Sequence, residues 1–343
     1  MQKIIISIAS FFVISIIYAI HHTYEYITPP TLVYIPNSNL DLSLLLELKK
    51  QGVSLNILDY RLLKRHPHPD KGWLRFDSKL KLSREELIAT LHKKPKEKTR
   101  RIVMYSGDSI ELFAQRTAKQ TNLSASKIIK AYKKHSPYHD AGIMAGYYQI
   151  PYKTTPSAIT YYMTLKSRYK FKALAEKYTG NYSTSKWQEI LTIASIIQKE
   201  TQASKEMSLI SSVIHNRLKK NMKLQLDGTL NYGKYSQQVI TPERIRNDKS
   251  TYNTYLHKGL PPHPVGSATK EAIVSALQPA NTDYLYFMLA DNGTHNFSRT
   301  YEEHLSNIQW YREQRNKKLN DKNTTNQQLD TIQQDQNKSI NNE

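Results

Sequence analysis

The sequence predicts an α+β fold behind an N-terminal membrane anchor, and three observations predict it. Two consecutive stretches, 184–200 and 204–220, repeat their apolar residues at helical spacing. Short runs rich in aromatic and β-branched residues, among them Gly72-Trp-Leu-Arg-Phe76, Arg101-Ile-Val-Met-Tyr105 and Tyr284-Leu-Tyr-Phe-Met-Leu289, read as strands. An uncharged apolar run opens the chain.

That run, Ile4 to Ile20, spans 17 residues and is interrupted only by Ser7, Ser10, Ser15 and Tyr18. Its length is at the low end for a membrane span. No small-x-small cleavage site precedes His21 and His22, so a retained transmembrane anchor over 1–24 is expected in preference to a cleaved signal peptide. Lys3 then places the N-terminus in the cytoplasm and everything after Tyr24 outside the inner membrane, in a single-pass topology. No Cys occurs in the 343 residues, which excludes disulfides and thiolate metal sites.

Next comes a small α+β domain, 29–95, with helices at Ser43 to Lys50 and after Ser83-Arg-Glu-Glu86, a capping-box signature. A charged linker, Lys93 to Arg100, comes after it. Between 100 and 152 the expected order is strand (101–105), helix (108–121), helix (124–134) and returning strand (146–150). A mixed α/β domain is expected over 153–312. From 316 to 343 Asn, Gln, Lys and Asp dominate, a composition expected to be disordered.

The formal charge of +20 would ordinarily raise nucleic-acid binding. Lys and Arg are scattered, however, with only short clusters such as Lys93-Lys-Pro-Lys-Glu-Lys-Thr-Arg-Arg101, and no nucleic-acid-binding motif can be read. Nucleic acid is therefore not an expected partner, whereas carboxylate-bearing polymers or anionic headgroups suit a basic exterior. His66, His68, His257 and His263 lack metal-site spacing and acidic partners, so no metal and no cofactor are expected.

Glu200 is the candidate for chemistry. In 184–200 the apolar row runs through Trp187, Ile190, Ile193, Ala194 and Ile197, and Glu200 continues it. Its carboxyl should lean over Ile196 and Ile197 and lose hydration, which keeps a fraction protonated near neutral pH. A general acid requires this. Beyond the second helix, Lys223-Leu-Gln-Leu-Asp227 alternates like a strand, placing Gln225 and Asp227 on one face. Tyr252-Asn-Thr-Tyr255 and the proline-stiffened Gly259-Leu-Pro-Pro-His-Pro264 could line a cleft, and Asp291-Asn-Gly-Thr-His295 closes the 284–289 strand.

The ordered motifs Ala194-Ser-Ile-Ile-Gln-Lys-Glu-Thr201, Val213-Ile-His-Asn-Arg-Leu218, Leu224-Gln-Leu-Asp-Gly-Thr229, Tyr252-Asn-Thr-Tyr255, Gly259-Leu-Pro-Pro262 and Pro279-Ala through Tyr284-Leu-Tyr-Phe287 resemble the bacterial endolytic murein transglycosylases, the YceG-like family. The resemblance is dense from about Ser183 to His304 and fainter from about Pro29 to Tyr152. It implies a membrane-anchored lyase that cuts nascent glycan strands internally at the MurNAc-GlcNAc bond, leaves 1,6-anhydro-MurNAc ends and terminates elongation. Cell-wall synthases are then prospective partners. Glu200 matches the family's catalytic acid, Gln225 and Asp227 become polar supports of the cleft, and Asn253 becomes a donor to a sugar oxygen. The strand-helix-helix-strand order of 100–152 resembles a LysM glycan-binding module, and 153–312 becomes the catalytic domain.

Four departures limit what transfers. Ala145 stands where the family usually has Glu, Leu226 replaces a small polar residue, Gly228 replaces the usual Pro, and Ser267 lies in a loop that lacks the usual Asn-Pro-Gly ending. A noncatalytic peptidoglycan-binding scaffold and a two-carboxylate muramidase remain as alternatives. For the latter Asp227 is the nearest second carboxylate, with Glu206, Glu243 and Asp248 behind it.

Overall fold

A computed structural model describes residues 2–36, 41–93, 97–290 and 293–317. The chain divides into two compact units, Met1–Tyr182 and Ser183–Glu343. Among the described residues the strands form four two-stranded antiparallel ribbons, so the fold is α+β with helices predominating.

The first unit contains α1 (Gln2–Tyr24), β1 (Tyr26–Ile27), β2 (Leu32–Ile35), α2 (Asp41–Lys50), α3 (Asp59–Leu63), β3 (Gly72–Arg75), β4 (Leu82–Ser83) and α4 (Arg84–Leu91). It continues with β5 (Thr99–Met104), α5 (Ile110–Thr121), α6 (Ala125–His135), β6 (Gly146–Pro151) and α7 (Pro156–Thr179). All four residues of β2 are buried, and strand alternation explains how. Val33 and Ile35 enter one apolar core with Leu74, Leu87 and Ile88, while Leu32 and Tyr34 enter another with Trp73, Phe113, Ile128 and Tyr162. The β2–β3 ribbon thus has a core on each face. The capping box forms as read, with Ser83 and Glu86 exchanging backbone hydrogen bonds at the start of α4.

The expected βααβ order is present, and β5 pairs with β6 from Thr99↔Pro151 to Met104↔Gly146. The helix α7, assigned from sequence to the domain beginning at 153, instead packs on α6 and closes the first unit at Tyr182. The expected transmembrane anchor is not supported. Residues 2–24 are helical, yet among the described residues no helix is long and apolar enough to cross a membrane. The end of α1 is instead tied down by polar contacts: His22 is buried, its Nε2 3.1 Å from Oδ1 of the fully buried Asp59, which also pairs with Arg84 at 2.8 Å.

In the second unit, α8 (Thr184–Glu200) packs against α9 (Ser204–Lys219), α11 (Lys270–Leu277) and a 3-10 turn, Asp227–Leu230. A second short turn (Gly233–Tyr235), α10 (Pro242–Asn247), β7 (Tyr286–Leu289), β8 (His295–Ser298) and α12 (301–317) complete it. With neighbours around α8, all of 191–198 is buried, so the burial is wider than the single stripe the spacing implied, and Ile190 is only half-buried. Polar residues buried in that stretch have work to do. Ser195 Oγ accepts from the Val265 amide at 3.0 Å and Gln198 Oε1 from the Thr269 amide at 3.0 Å, which holds the proline-rich loop against the helix.

Two strand expectations change. Residues 223–227 form no strand: Gln225 takes a left-handed φ of 50°, and the amides of Gln225 and Leu226 bond to Thr254 instead of to a ladder. Their alternation survives, with Leu224 and Leu226 buried and Gln225 and Asp227 exposed. The strand read over 284–289 begins at Tyr286 and is half-buried, because its hairpin with β8 is the whole sheet. Linker residues 94–96, loop residues 291–292 and the tail beyond 317 lie outside the described residues.

Candidate active site

Glu200 is the last residue of α8, and its geometry is set where the chain leaves that helix. The Thr201 amide closes the helix on Ile197 O at 3.1 Å. The carboxyl then meets the Asp227–Leu230 turn, where the Gly228 amide donates to Glu200 Oε1 at 2.9 Å. Glu200 is half-buried, as an acid that must meet both protein and substrate has to be. Burial is the largest cause that pushes its pKa up to about 7, and the nearby negative charge of Asp227 adds to it, while the Gly228 hydrogen bond opposes both.

The turn is positioned by buried polar groups. Arg217 on α9 donates to Leu224 O and Leu285 O, both at 2.6 Å, and to Lys223 O at 3.3 Å. Thr229 Oγ1 lies 2.7 Å from Leu226 O and 3.0 Å from Thr254 Oγ1, and both threonines are buried. Gly228 must be small: a Cβ there would sit 2.5 Å from Lys199 Cβ and 2.8 Å from Glu200 Oε1.

Of the residues singled out from sequence, Glu200 and Asp227 are brought together at this turn, with the Asp227 charge acting on the acid. Gln225 lies exposed two residues before Asp227. Asn253 does not behave as expected. It is fully buried, its Nδ2 donates to Ile245 O at 2.8 Å and Asp248 O at 2.7 Å, and its Oδ1 accepts from the Tyr255 amide at 3.1 Å. Both amide hydrogens are spent on backbone, so Asn253 braces its loop and has none to offer a sugar.

The other carboxylates weighed from sequence are engaged elsewhere. Glu206 accepts from the backbone amide of His295 and contacts its Nδ1, each at 2.7 Å; burial would raise its pKa, but these contacts outweigh it and hold the group below the usual range. Glu243 pairs with Arg246 at 2.9 Å. Asp248 accepts from the Ser250 amide at 2.9 Å and lies 3.8 Å from Arg244.

Sequence reasoning missed two contributors. The Gly228 N–H was noticed only as a departure from Pro, although that exchange is what creates a donor. Tyr255 donates from its phenol to Asp227 Oδ1 at 2.7 Å, and burial, then Asp227, raises the phenol's pKa so that it stays a donor. Its signal was the motif Tyr252-Asn-Thr-Tyr255, of which only the Asn was selected. Ala145 belongs to the first unit.

The arrangement can perform proton transfer by one carboxyl that is partly protonated at neutral pH, beside a second that remains exposed and hydrogen-bonded to a phenol.

Comparison with known proteins is consistent with these motifs. The chain is 39% identical over 132 residues to an endolytic murein transglycosylase of Bacillus subtilis, covering 38% of this chain and 36% of that protein. It is 36% identical over 138 residues to an endolytic murein transglycosylase of Streptococcus pneumoniae, covering 38% of this chain and 24% of that protein. The alignments thus span about a third or less of each relative's length. A crystal structure of a yceG-like protein from Listeria monocytogenes superposes with a TM-score of 0.53 at 22% identity, over 82% of this chain and 98% of that one, which establishes a shared fold. The model of the YceG-like family matches residues 33–310, from β2 through the acid-bearing helix to α12, and the chain therefore belongs to the YceG-like family.

Proposed function

We propose that the protein is a peptidoglycan lytic transglycosylase in which Glu200 acts first as acid and then as base. The feature that most supports this is a half-buried carboxyl whose pKa is pushed up to about 7, with one oxygen held by the Gly228 amide. With Oε1 accepting from Gly228, Oε2 is the oxygen that carries the proton. It protonates the bridging oxygen between MurNAc C1 and GlcNAc C4 as the C1–O bond breaks through an oxocarbenium-like transition state. The Glu200 carboxylate so formed takes the proton of the MurNAc C6 hydroxyl, whose oxygen closes on C1. The products are a GlcNAc end and a 1,6-anhydro-MurNAc end; no water is consumed and Glu200 is protonated again.

Asp227 has a supporting part in this scheme. Its charge favours the protonated form of Glu200, and Tyr255 holds it. The relatives named endolytic murein transglycosylases support cutting within strands and action at the cell wall, outside the cytoplasmic membrane, where such cuts would end strand elongation beside the synthases. The βααβ segment bounded by β5 and β6 would hold glycan in the manner of a LysM module.

Mass spectrometry of peptidoglycan digested by the full chain and by Glu200→Gln tests the proposal. Anhydro ends that disappear in the variant are expected. Reducing ends in their place would make the protein a hydrolase and Asp227 its second carboxylate, and no new ends at all would leave a binding protein.

A further inference from the structure

The hairpin β7–β8 and the helix α12, with Leu209 of α9, form a concave surface apart from the acid. A cavity of about 570 Å³ is walled by Tyr284, Phe297 and Trp310 together with His295, Asn296 and Asn307. Glu200, Gln225, Asp227 and Tyr255 are not on its wall.

Trp310 is 55% exposed, a large apolar area to leave in water, and Tyr284 and Phe297 lie half-buried beside the same cavity with ring centroids 5.6 Å apart. Amides with unused capacity line the same cavity. The Asn296 side chain is half-buried and makes no hydrogen bond to protein among the described residues. Asn307 spends Nδ2 on Ser298 Oγ at 2.9 Å, which leaves its Oδ1 as an acceptor. One wall is fixed, because the backbone amide and Nδ1 of His295 both bond to the buried Glu206 at 2.7 Å.

Aromatic rings and uncommitted amides on one cavity wall match one ligand chemistry. A pyranose presents an apolar C–H face that packs on a ring, and hydroxyl and acetamido groups around its edge that pair with amides. A lipid or an apolar peptide helix would leave the Asn296 amide buried without a partner, which is costly. A phosphate ligand would call for cations, and no Lys or Arg is among the lining residues; Arg299, the cation beside the cavity, lies over the Tyr284 ring at 5.8 Å.

We propose that this groove is a saccharide subsite that holds an N-acetylhexosamine unit of the glycan strand while another part of the strand meets Glu200. The identity of the strand rests on the proposed activity; the recognition of a sugar rests on the groove alone. Such a subsite rewards long strands, because the held unit adds binding without touching the bond being cut.

Tryptophan emission provides the test. Of the three Trp residues, Trp73 and Trp187 are 5% and 2% exposed, so Trp310 is the one whose emission a bound sugar can change. In the full chain carrying Glu200→Gln, which turns substrate over roughly 10²- to 10⁴-fold more slowly, chitohexaose and peptide-free glycan strands are expected to shift the emission saturably. Adding Asn296→Ala should weaken that binding about tenfold, the worth of one good contact. Trp310→Ala in the otherwise unchanged chain should raise KM for long strands about tenfold and leave kcat within twofold. No saturable shift with either saccharide, or a KM unchanged by Trp310→Ala, overturns the subsite. Cutting without an emission shift would leave the lyase standing and remove the groove; a shift without cutting would do the reverse.

Discussion

The Gly228 amide nitrogen lies 2.9 Å from Glu200 Oε1, so one oxygen of the helix-terminal acid is committed to a backbone donor and the other is left to carry the proton. That donor favours the ionised carboxyl, whereas burial and the Asp227 charge favour the neutral one, and the balance puts the pKa at about 7. The acid is therefore poised near neutral pH by opposing effects.

The first prediction is the alkaline limb of the rate. The working form of Glu200 is protonated, so kcat should be level below the pKa and fall about tenfold per pH unit above about 7. Glu200→Gln should lower the plateau kcat below about pH 7 by roughly 10²- to 10⁴-fold, the usual worth of a general acid, and should abolish the alkaline limb. A wild-type rate that stays constant to well above pH 9 would remove the acid role.

Gly228→Ala tests the same contact. Its Cβ would meet Lys199 Cβ at 2.5 Å and Glu200 Oε1 at 2.8 Å, so the turn must move and take its N–H away from the carboxyl. Losing a donor to the ionised form raises the pKa of Glu200, and the alkaline limb should shift to higher pH while the plateau rate drops about tenfold or more. Gly228→Pro removes the N–H as well and should shift the limb the same way. Both are read from pH profiles alongside circular-dichroism melts, and a limb that does not move in a folded variant would mean that the amide does not tune the acid.

Much of this site was legible in the sequence, for reasons that mark the limit of such reading. The helix period of 184–200 placed Glu200 at a helix end, and the structure ends α8 on that residue. Alternation put Leu224 and Leu226 on one face and Asp227 on the other, and the structure buries the first and exposes the second, although the backbone bonds to Thr254 and not to a strand. Side-chain periodicity survives such a change because it records which residues are buried, not where their amides bond. The Gly228 donor was illegible because it is a backbone group, and Asn253 was misread because a residue type does not say whether its amide is already spent. At the N-terminus the apolar run gave the helix, while the buried His22–Asp59 contact that ties down its end depends on residues far apart in sequence.

Asp227→Asn separates support from direct participation. Removing its charge should lower the pKa of Glu200, so the alkaline limb moves to lower pH and the loss of rate is larger at pH 8 than at pH 5. Tyr255→Phe removes the phenol that bonds to Asp227 but keeps the charge, and should leave the limb near its place. A nucleophilic Asp227 would behave differently: the Asn variant would be inactive at all pH values, and reducing ends would be the wild-type product.

Asn253→Ala tests the loop brace. The change deletes two hydrogen bonds to Ile245 O and Asp248 O and one from the Tyr255 amide, all around a side chain with no exposure. Leaving such groups without partners costs on the order of 1–3 kcal/mol each when they stay buried, and water entering the loosened loop recovers part of that. A net loss of about 2–3 kcal/mol is therefore expected, seen as a lower midpoint in urea with the alkaline limb still near pH 7. Asn253 also positions the Tyr255 amide, so the plateau rate should fall modestly as the phenol that holds Asp227 loses its anchor. A variant with unchanged stability and a raised KM would return Asn253 to the role of a sugar contact, because only then would its loss be felt by substrate and not by the fold.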